Sequence, residues 1–256
     1  MNDQKTKIIS NEKITEQIYR MTFFVGWKKY DPGQFLMLKI PRGEVFLRRP
    51  FGIAGLSNEI AEIFYKTVGK GTRAMVGMKA GSEVEVLGPL GRGFDLSQVV
   101  GVKQKIAVLV AGGYGLSPMI GLVASLVSKG CALRLYLGAK NSQDVFYVDH
   151  LRKSGAILRI ATEDGSLGEK GLVTELLEKE LSCLGELAIY ACGPDGLLDK
   201  VKKMALEKNL FCEISKDAYL ACGVGVCLGC VCKDLDGNFV RTCREGPVFD
   251  VRKLEA

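Results

Sequence analysis

A chain of 256 residues has room for one large domain or two to three small ones. Apolar residues make up 47% and charged residues 25%, a globular balance that excludes a disordered chain. The net charge of +6 is spread along the sequence with no run of five Lys/Arg, which excludes a basic nucleic-acid arm. What remains is a solvated basic surface or a docking face for an acidic partner.

The opening Met1-Asn2-Asp3-Gln4-Lys5 carries no apolar signal core, so a cytoplasmic protein is expected. Lys7-Ile8-Ile9 and Ile18 to Phe23 read as short strands. Asp31-Pro32-Gly33 reads as a turn, and Gln34 to Ile40 as the next strand. Ile60 to Val68 and Ser82 to Leu87 follow. Short strands at this spacing predict a small antiparallel β-barrel over residues 1–100.

The pattern changes near Gln98–Lys103. Ile106 to Val127 carries no charge and is long enough to cross a bilayer. Gly112-Gly113-Tyr114-Gly115 and Ser117-Pro118 interrupt it. A buried strand, a glycine turn and a buried helix are therefore expected, and no membrane span. Ser117 is the expected N-cap and Pro118 the first helical residue, with the helix ending near Lys129-Gly130. Leu133 to Leu137, Ile157 to Ala161 and Leu187 to Ala191 read as buried strands. Val173 to Leu181 and Gly196 to Lys208 read as helices. The alternation predicts a parallel sheet covered on both faces. A second joint falls near Asn209–Phe211. From there the chain is rich in Cys and Gly, too short for a core of its own, and expected to be held by metal.

The sequence contains nine cysteines, five of them between Cys222 and Cys243, which points to metal binding rather than disulfides. Cys222, Cys227, Cys230 and Cys243 have the spacing C-x4-C-x2-C-x12-C, the pattern of plant-type [2Fe–2S] sites. Two irons with bridging sulfides need four thiolates. Gly223, Gly225 and Gly229 let the loop fold tightly and aim N–H groups at sulfur. Structural zinc usually takes two close ligand pairs, and here only Cys227 and Cys230 form one. Cys232 is a competing ligand or, as favoured here, a packed thiol. Cys131, Cys183 and Cys212 read as buried thiols.

Gly112 to Pro118 lies between a strand and a helix, where backbone N–H groups and the helix dipole favour a phosphate. It is not G-x-G-x-x-G, and alone it is compatible with a purely structural turn. Cys192-Gly193-Pro194 is a second turn at the carboxyl end of a strand, where open α/β sheets bind ligands. Thr162-Glu163-Asp164-Gly165 ends another strand. Its carboxylates suit a ribose hydroxyl and hint at NAD over NADP, with Lys140 as a counterweight. In the first part, Arg48 to Ala54 reads as a basic turn with a buried Phe, or as an Arg clamp on a pyrophosphate. Phe64 to Thr72 offers a second phosphate cradle.

The order of these motifs carries more than any one of them. R-P-F-G is followed by G-K-G-T, G-P-L-G-R-G-F at Gly88 to Phe94, G-G-Y-G-L-S-P, C-G-P and the cysteine segment. That order resembles the ferredoxin reductase superfamily. Within it the chain is similar to the iron–sulfur flavoprotein, electron-transfer subunits of NAD-dependent (type B) dihydroorotate dehydrogenases. The likeness covers nearly the whole chain, and T-E-D-G-S-x-G at Thr162 to Gly168 is among its specific parts.

The resemblance implies an antiparallel β-barrel FAD domain (1–100), a parallel-sheet nicotinamide domain (101–210) and a small C-terminal [2Fe–2S] domain (211–256). It implies FAD contacts at Arg49, Pro50, Phe51, Gly52, Phe64, Tyr65, Lys66, Gly71 and Thr72. It places NAD near Gly113, Gly115, Cys192 and Gly193, and the cluster on Cys222, Cys227, Cys230 and Cys243. The family usually has Ser at the position of Gly52. Where it shows S-x-E-x-R-M, this chain reads Ser215 to Leu220.

The function so implied is electron transfer from an FMN-containing, dihydroorotate-oxidising catalytic subunit to NAD⁺, in a heterotetramer with two copies of each chain and in pyrimidine biosynthesis. No acid–base residue for dihydroorotate stands out, and His150, the only histidine, reads as a surface or structural residue. Two other readings stay open. One is the flavin subunit of a sulfide dehydrogenase, hydrogenase or transhydrogenase complex. The other is a zinc-bearing interaction module without enzymatic activity.

Overall fold

Short buried runs, alternating regularly only in the last of them, make strands of the first part of the chain. In a computed structural model, which describes residues 2–40 and 45–254, these are β1 (Asn2–Lys13), β2 (Ile18–Phe24), β3 (Phe35–Lys39), β4 (Arg49–Gly52), β5 (Gly55–Ser57) and β6 (Ile60–Lys66). A short helix α1 (Lys70–Val76) and strand β7 (Glu83–Leu90) complete the unit. The outer ends of the expected domains, Met1 and Ala256, lie outside the described residues. The strands form one antiparallel seven-stranded sheet in the order β4-β3-β7-β1-β2-β6-β5. It curls as a half-barrel: Phe51 on β4 meets Tyr65 on β6 edge to face at 6.2 Å. Met21, Phe23, Leu36, Leu38, Ile63 and Val86 fill its interior.

The second part alternates strands and helices. In order come β8 (Ile106–Gly112), α2 (Leu116–Ser128), β9 (Leu133–Ala139), α3 (Val148–Lys153), β10 (Ile157–Thr162), β11 (Glu169–Lys170), α4 (Val173–Leu181), β12 (Leu187–Cys192) and α5 (Asp195–Glu207). β8 is apolar throughout because both its faces are covered. Ala107, Leu109 and Ala111 pack under α2, while Val108 and Val110 pack under α4 and α5. The uncharged stretch is thus strand, turn and helix, and among the described residues no helix is long and apolar enough to cross a membrane.

One helix start differs from expectation. The glycine turn Gly113–Gly115 is already a 3-10 turn, and it runs directly into α2 with Gly115 in the capping position. Ser117 is consequently inside the first turn and fully buried rather than capping. The helix ends where expected, at Lys129, with Gly130 at φ +72°.

The C-terminal part holds β13 (Phe211–Ser215), β14 (Val231–Lys233), β15 (Phe239–Arg241) and β16 (Val248–Asp250). β14 and β15 form a separate hairpin. β13 and β16 do not stand apart: the second sheet reads β11-β10-β9-β8-β12-β13-β16. β13 runs parallel to β12, and Ser215 pairs with Val248 on antiparallel β16. The cysteine segment is therefore an excursion out of the second sheet, closed at its base by two paired strands.

The two sheets and the cysteine segment meet at the loop after β7. The Arg92 guanidinium donates to Glu213 on β13, a carboxylate only 1% exposed, and Tyr190 Oη donates to the Asp95 carbonyl at 2.8 Å. Gly91 is needed there: its φ is +73°, and a β-carbon would stand 2.7 Å from Pro247 Cδ.

Candidate functional site

A cleft of about 1170 Å³ runs between the half-barrel and the carboxyl ends of the parallel strands. Pro50, Phe51, Gly52 and Lys66 form its barrel wall. Gly113, Gly115, Cys192 and Gly193 form the opposite wall, and Ser215 to Leu220 and Thr242 close one end. The ends of parallel strands gather there, so the N-termini of α2, α4 and α5 all open toward the same space.

The two glycine turns are packed on each other. A β-carbon at Gly112 would stand 2.7 Å from Pro194 Cδ, and one at Gly193 would stand 3.0 Å from the Gly112 nitrogen. A side chain at Gly115 would overlap the Cys192 carbonyl. Gly113 differs: it has φ +51° and open space where its side chain would be. The sequence therefore builds a bare backbone floor, suited to close approach by a phosphate or a planar ring. Tyr114, which sequence reasoning did not single out, pins this floor to the barrel by donating from its hydroxyl to the Phe64 carbonyl. Burial pushes the Cys192 thiol up to about 12, against the hydrogen bond from Ser215, so it is a neutral thiol in the cleft.

On the barrel side, Gly52 touches the other domain directly, its β-carbon position lying 3.0 Å from Pro118 Cβ. Lys66 is paired with Asp144 at 2.7 Å across the same wall. Five of the expected contacts lie outside the cleft wall: Arg49, Phe64, Tyr65, Gly71 and Thr72. Neighbours on a strand point to opposite faces. Phe64 faces Phe146 and Tyr147, whereas Tyr65 faces the barrel interior, with its hydroxyl donating to Asn11 Oδ1 at 2.9 Å. Burial raises the Tyr65 pKa to about 12. Arg49 folds back on the Leu47 carbonyl at 2.6 Å and covers Gly71, whose β-carbon position is 3.0 Å from Arg49 Nε. Thr72 Oγ1 accepts from the Val68 and Gly69 N–H groups and shapes the start of α1. Arg49, Gly71 and Thr72 thus form one contiguous group beside the cleft.

After β10 the two carboxylates separate. Asp164 Oδ1 accepts from the Ser166 N–H and hydroxyl, which hold its pKa below the usual range. Glu163 is left lining the cleft with Lys140. His150 stacks on Tyr147 at 4.3 Å, the structural role expected. Of the three remaining expected buried thiols, Cys212 is buried and Cys131 half-buried, but Cys183 is exposed because it follows the end of α4 into solvent.

The four cysteines of the C-terminal loop come together in two pairs. Cys222 accepts from the Val224 N–H at 3.4 Å and the Cys227 N–H at 3.5 Å. Burial acts to raise its pKa, but these N–H groups and the Cys227 thiol outweigh it and bring it down to about 6. Cys243 is driven up to about 12 by burial and by its hydrogen bond with Cys230. Gly223, Gly225 and Leu228 have positive φ, so the loop wraps inward as a cluster loop must. Among the described residues no three His, Cys, Asp or Glu side chains converge on a single metal ion. Two thiol pairs, each with backbone N–H groups nearby, fit the needs of two bridged irons. Phe35 joins the sites: it lines the cleft and packs with Cys230 and Cys243. Cys232 points away, 3.8 Å from Thr242 Oγ1.

Comparison with known proteins agrees with this layout. Residues 217–255 match the iron–sulfur cluster binding domain of dihydroorotate dehydrogenase B, and residues 109–203 match the oxidoreductase NAD-binding domain. The dihydroorotate dehydrogenase B (NAD(+)) electron transfer subunit of Caldanaerobacter subterraneus subsp. tengcongensis is 37% identical over 96% of this chain and 95% of its own. The corresponding subunit of Clostridium acetobutylicum is 37% identical over 95% of this chain and 93% of its own. Among solved structures, an NADH-dependent reduced ferredoxin-NADP oxidoreductase superposes with a TM-score of 0.86 at 24% identity, covering 98% of this chain and 89% of that one. A ferredoxin NADP⁺ reductase from Neisseria gonorrhoeae with bound FAD and NADP gives 0.67 at 14% identity, over 81% of this chain and 92% of its own.

Proposed function

Because the chain belongs to the family of dihydroorotate dehydrogenase B (NAD(+)) electron transfer subunits, we propose that it carries electrons from a dihydroorotate-oxidising catalytic subunit to NAD⁺. Its cofactors are FAD, a [2Fe–2S] cluster and NAD. Flavin, when bound, exchanges a hydride with nicotinamide and single electrons with the cluster.

The observation that carries this reading is the shared wall. One cleft joins the barrel strand β4 to the glycine turns, and Phe35 in its wall also packs on Cys230 and Cys243. In this reading Pro50, Phe51 and Gly52 flank the flavin ring, and Arg49, Gly71 and Thr72 hold its pyrophosphate beside the cleft. Phe64 and Tyr65 support it only through backbone and packing. Lys66 meets the flavin after releasing Asp144. Gly113, Gly115, Cys192 and Gly193 form the floor under the nicotinamide, and Glu163 takes the ribose hydroxyls. Cys222, Cys227, Cys230 and Cys243 hold the cluster. The half-barrel is then the FAD domain, the parallel sheet with β13 and β16 the nicotinamide domain, and the excursion between those strands the cluster domain.

The partner in this reading contains FMN and forms a heterotetramer with two copies of each chain. The complex serves pyrimidine biosynthesis in the cytoplasm, a reducing compartment that suits nine free cysteines. An anaerobic visible spectrum followed by NADH titration tests the internal chain: flavin and iron–sulfur bands should bleach together. Adding the FMN partner and dihydroorotate should then bleach both without NADH. A chain that takes up only zinc, or bleaches with NADH and ignores the dihydroorotate-reduced partner, would defeat the reading.

A further inference from the structure

The cysteine loop is held from outside at Gly225. Its φ of +83° is a conformation that side-chain-bearing residues rarely adopt. Its carbonyl accepts from Arg241 Nη1 at 3.2 Å. On either side of it the Val224 and Cys227 N–H groups donate to the Cys222 sulfur at 3.4 and 3.5 Å. Arg241 is itself fixed by Glu245: Oε2 accepts from Arg241 Nε at 3.0 Å and from the Arg241 main-chain N–H at 2.7 Å, and Oε1 accepts from Nη2. The guanidinium fork is thus fully committed, two nitrogens to one carboxylate and the third to the Gly225 carbonyl. The loop lies flat on this support, since a β-carbon at Gly225 would stand 3.1 Å from Arg244 Cδ and 3.5 Å from Arg241 Nη1.

The placement matters because Arg241 ends β15, two residues before Cys243. Between them the Thr242 N–H donates to the Cys230 carbonyl at 3.0 Å. One short segment therefore carries a cluster cysteine, a tie to a second cysteine and a grip on the loop that holds the other two. Fixing the Gly225 carbonyl fixes ψ at a residue with no side chain to restrain it.

We propose that Arg241, gripped by Glu245, is a positioning residue for the iron–sulfur cluster: by holding the Gly225 carbonyl it fixes the loop that aims the Val224 and Cys227 N–H groups at the Cys222 sulfur, and so sets the cluster's reduction potential. This rests on the reading that the four cysteines hold the cluster. An N–H aimed at a ligand sulfur stabilises the reduced, more negative state and raises the potential.

Charge and position give opposite predictions, which makes the proposal testable. Arg241→Gln removes a positive charge, and Glu245→Gln removes a negative one. A through-space charge effect lowers the potential in the first variant and raises it in the second. Release of Gly225 lowers it in both. The measurement is a potentiometric titration of the full flavin-loaded chain, followed by the EPR signal of the reduced cluster. We expect downward shifts in both variants, an intermediate value in Arg241→Lys, and an unchanged flavin midpoint. Shifts of opposite sign, or wild-type midpoints in both, would overturn the proposal. Should Arg241→Gln fail to retain the cluster, Glu245→Gln decides alone: a downward shift supports the proposal, and an upward or absent shift overturns it. A wild-type chain that shows no [2Fe–2S] signal at all would instead overturn the underlying reading.

Discussion

The Arg92 guanidinium donates to the Glu213 carboxylate at 3.0 Å, tying the glycine loop of the half-barrel to a strand of the other sheet. The Asp95 N–H supplies a second bond to the same carboxylate at 2.7 Å. Burial raises the Glu213 pKa above its ordinary 4.5, against the pull of these donors. Folding strength from this group is therefore fully present below pH 4.5 and lost as pH rises through the folded pKa. Arg92→Ala should cost about 1–3 kcal/mol above the folded pKa, where the carboxylate is ionised, and less in acid. Glu213→Gln should flatten the pH dependence. Urea unfolding at several pH values checks both; equal losses for Arg92→Ala at every pH would be inconsistent.

Gly52 and Pro118 should behave as a coupled pair. With only 3.0 Å between the Gly52 β-carbon position and Pro118 Cβ, Gly52→Ser crowds the seam between the two halves. The expected cost is about 1–3 kcal/mol, relieved when Pro118→Gly, which removes the Cβ, is added. A double-mutant cycle on thermal unfolding measures it. Additive effects would show that the contact is slack, and that the Ser usual in the family would fit here without repacking.

The cluster-free chain should alkylate unevenly. Near neutral pH Cys222, brought down to about 6, is mostly thiolate, while Cys243, raised to about 12 and only 2% exposed, is not. Iodoacetamide followed by peptide mass spectrometry should label Cys222 at least about tenfold faster. As pH falls below about 6 the Cys222 rate should drop steeply.

Gly115→Ala should separate the two halves of the electron path. Its new methyl group overlaps the Cys192 carbonyl and pries the two turns apart. NADH should then reduce the flavin at least about tenfold more slowly, while dithionite still bleaches both flavin and cluster bands. An unchanged NADH rate would remove the glycine floor from the nicotinamide site.

Glu163 should carry cofactor choice. It lines the cleft, whereas Asp164 is turned into its own loop by Ser166. Glu163→Gln should narrow the NADH preference over NADPH by about tenfold, and Asp164→Asn should not. Steady-state kinetics with both nucleotides gives the answer.

Local signals were the legible ones. The cysteine spacing, the span of α4 and the strand-turn-helix around Gly112 to Gly115 depend on neighbours in the chain, so they could be read directly. Long-range pairing could not. Phe211–Ser215 carries a buried Glu213, and only its pairing with β12 and β16 makes it a sheet strand. Arg49, Phe64 and Tyr65 were expected at the flavin by motif. Which way each side chain leaves its strand depends on the barrel's curl, and that is set by β4 meeting β6. The Ser117 cap failed because the glycine turn begins the helix two residues early. The Arg241–Glu245 pair had no motif to announce it.

Because Ser215 and Val248 sit side by side on paired strands, the chain leaves the second sheet and re-enters it at nearly the same point. The intervening stretch starts and ends at one paired base, so its length and ligand set can change at its far end without breaking the strand order of either sheet. A lineage can thus change the one-electron terminal of such a protein while inheriting its two-electron machinery intact.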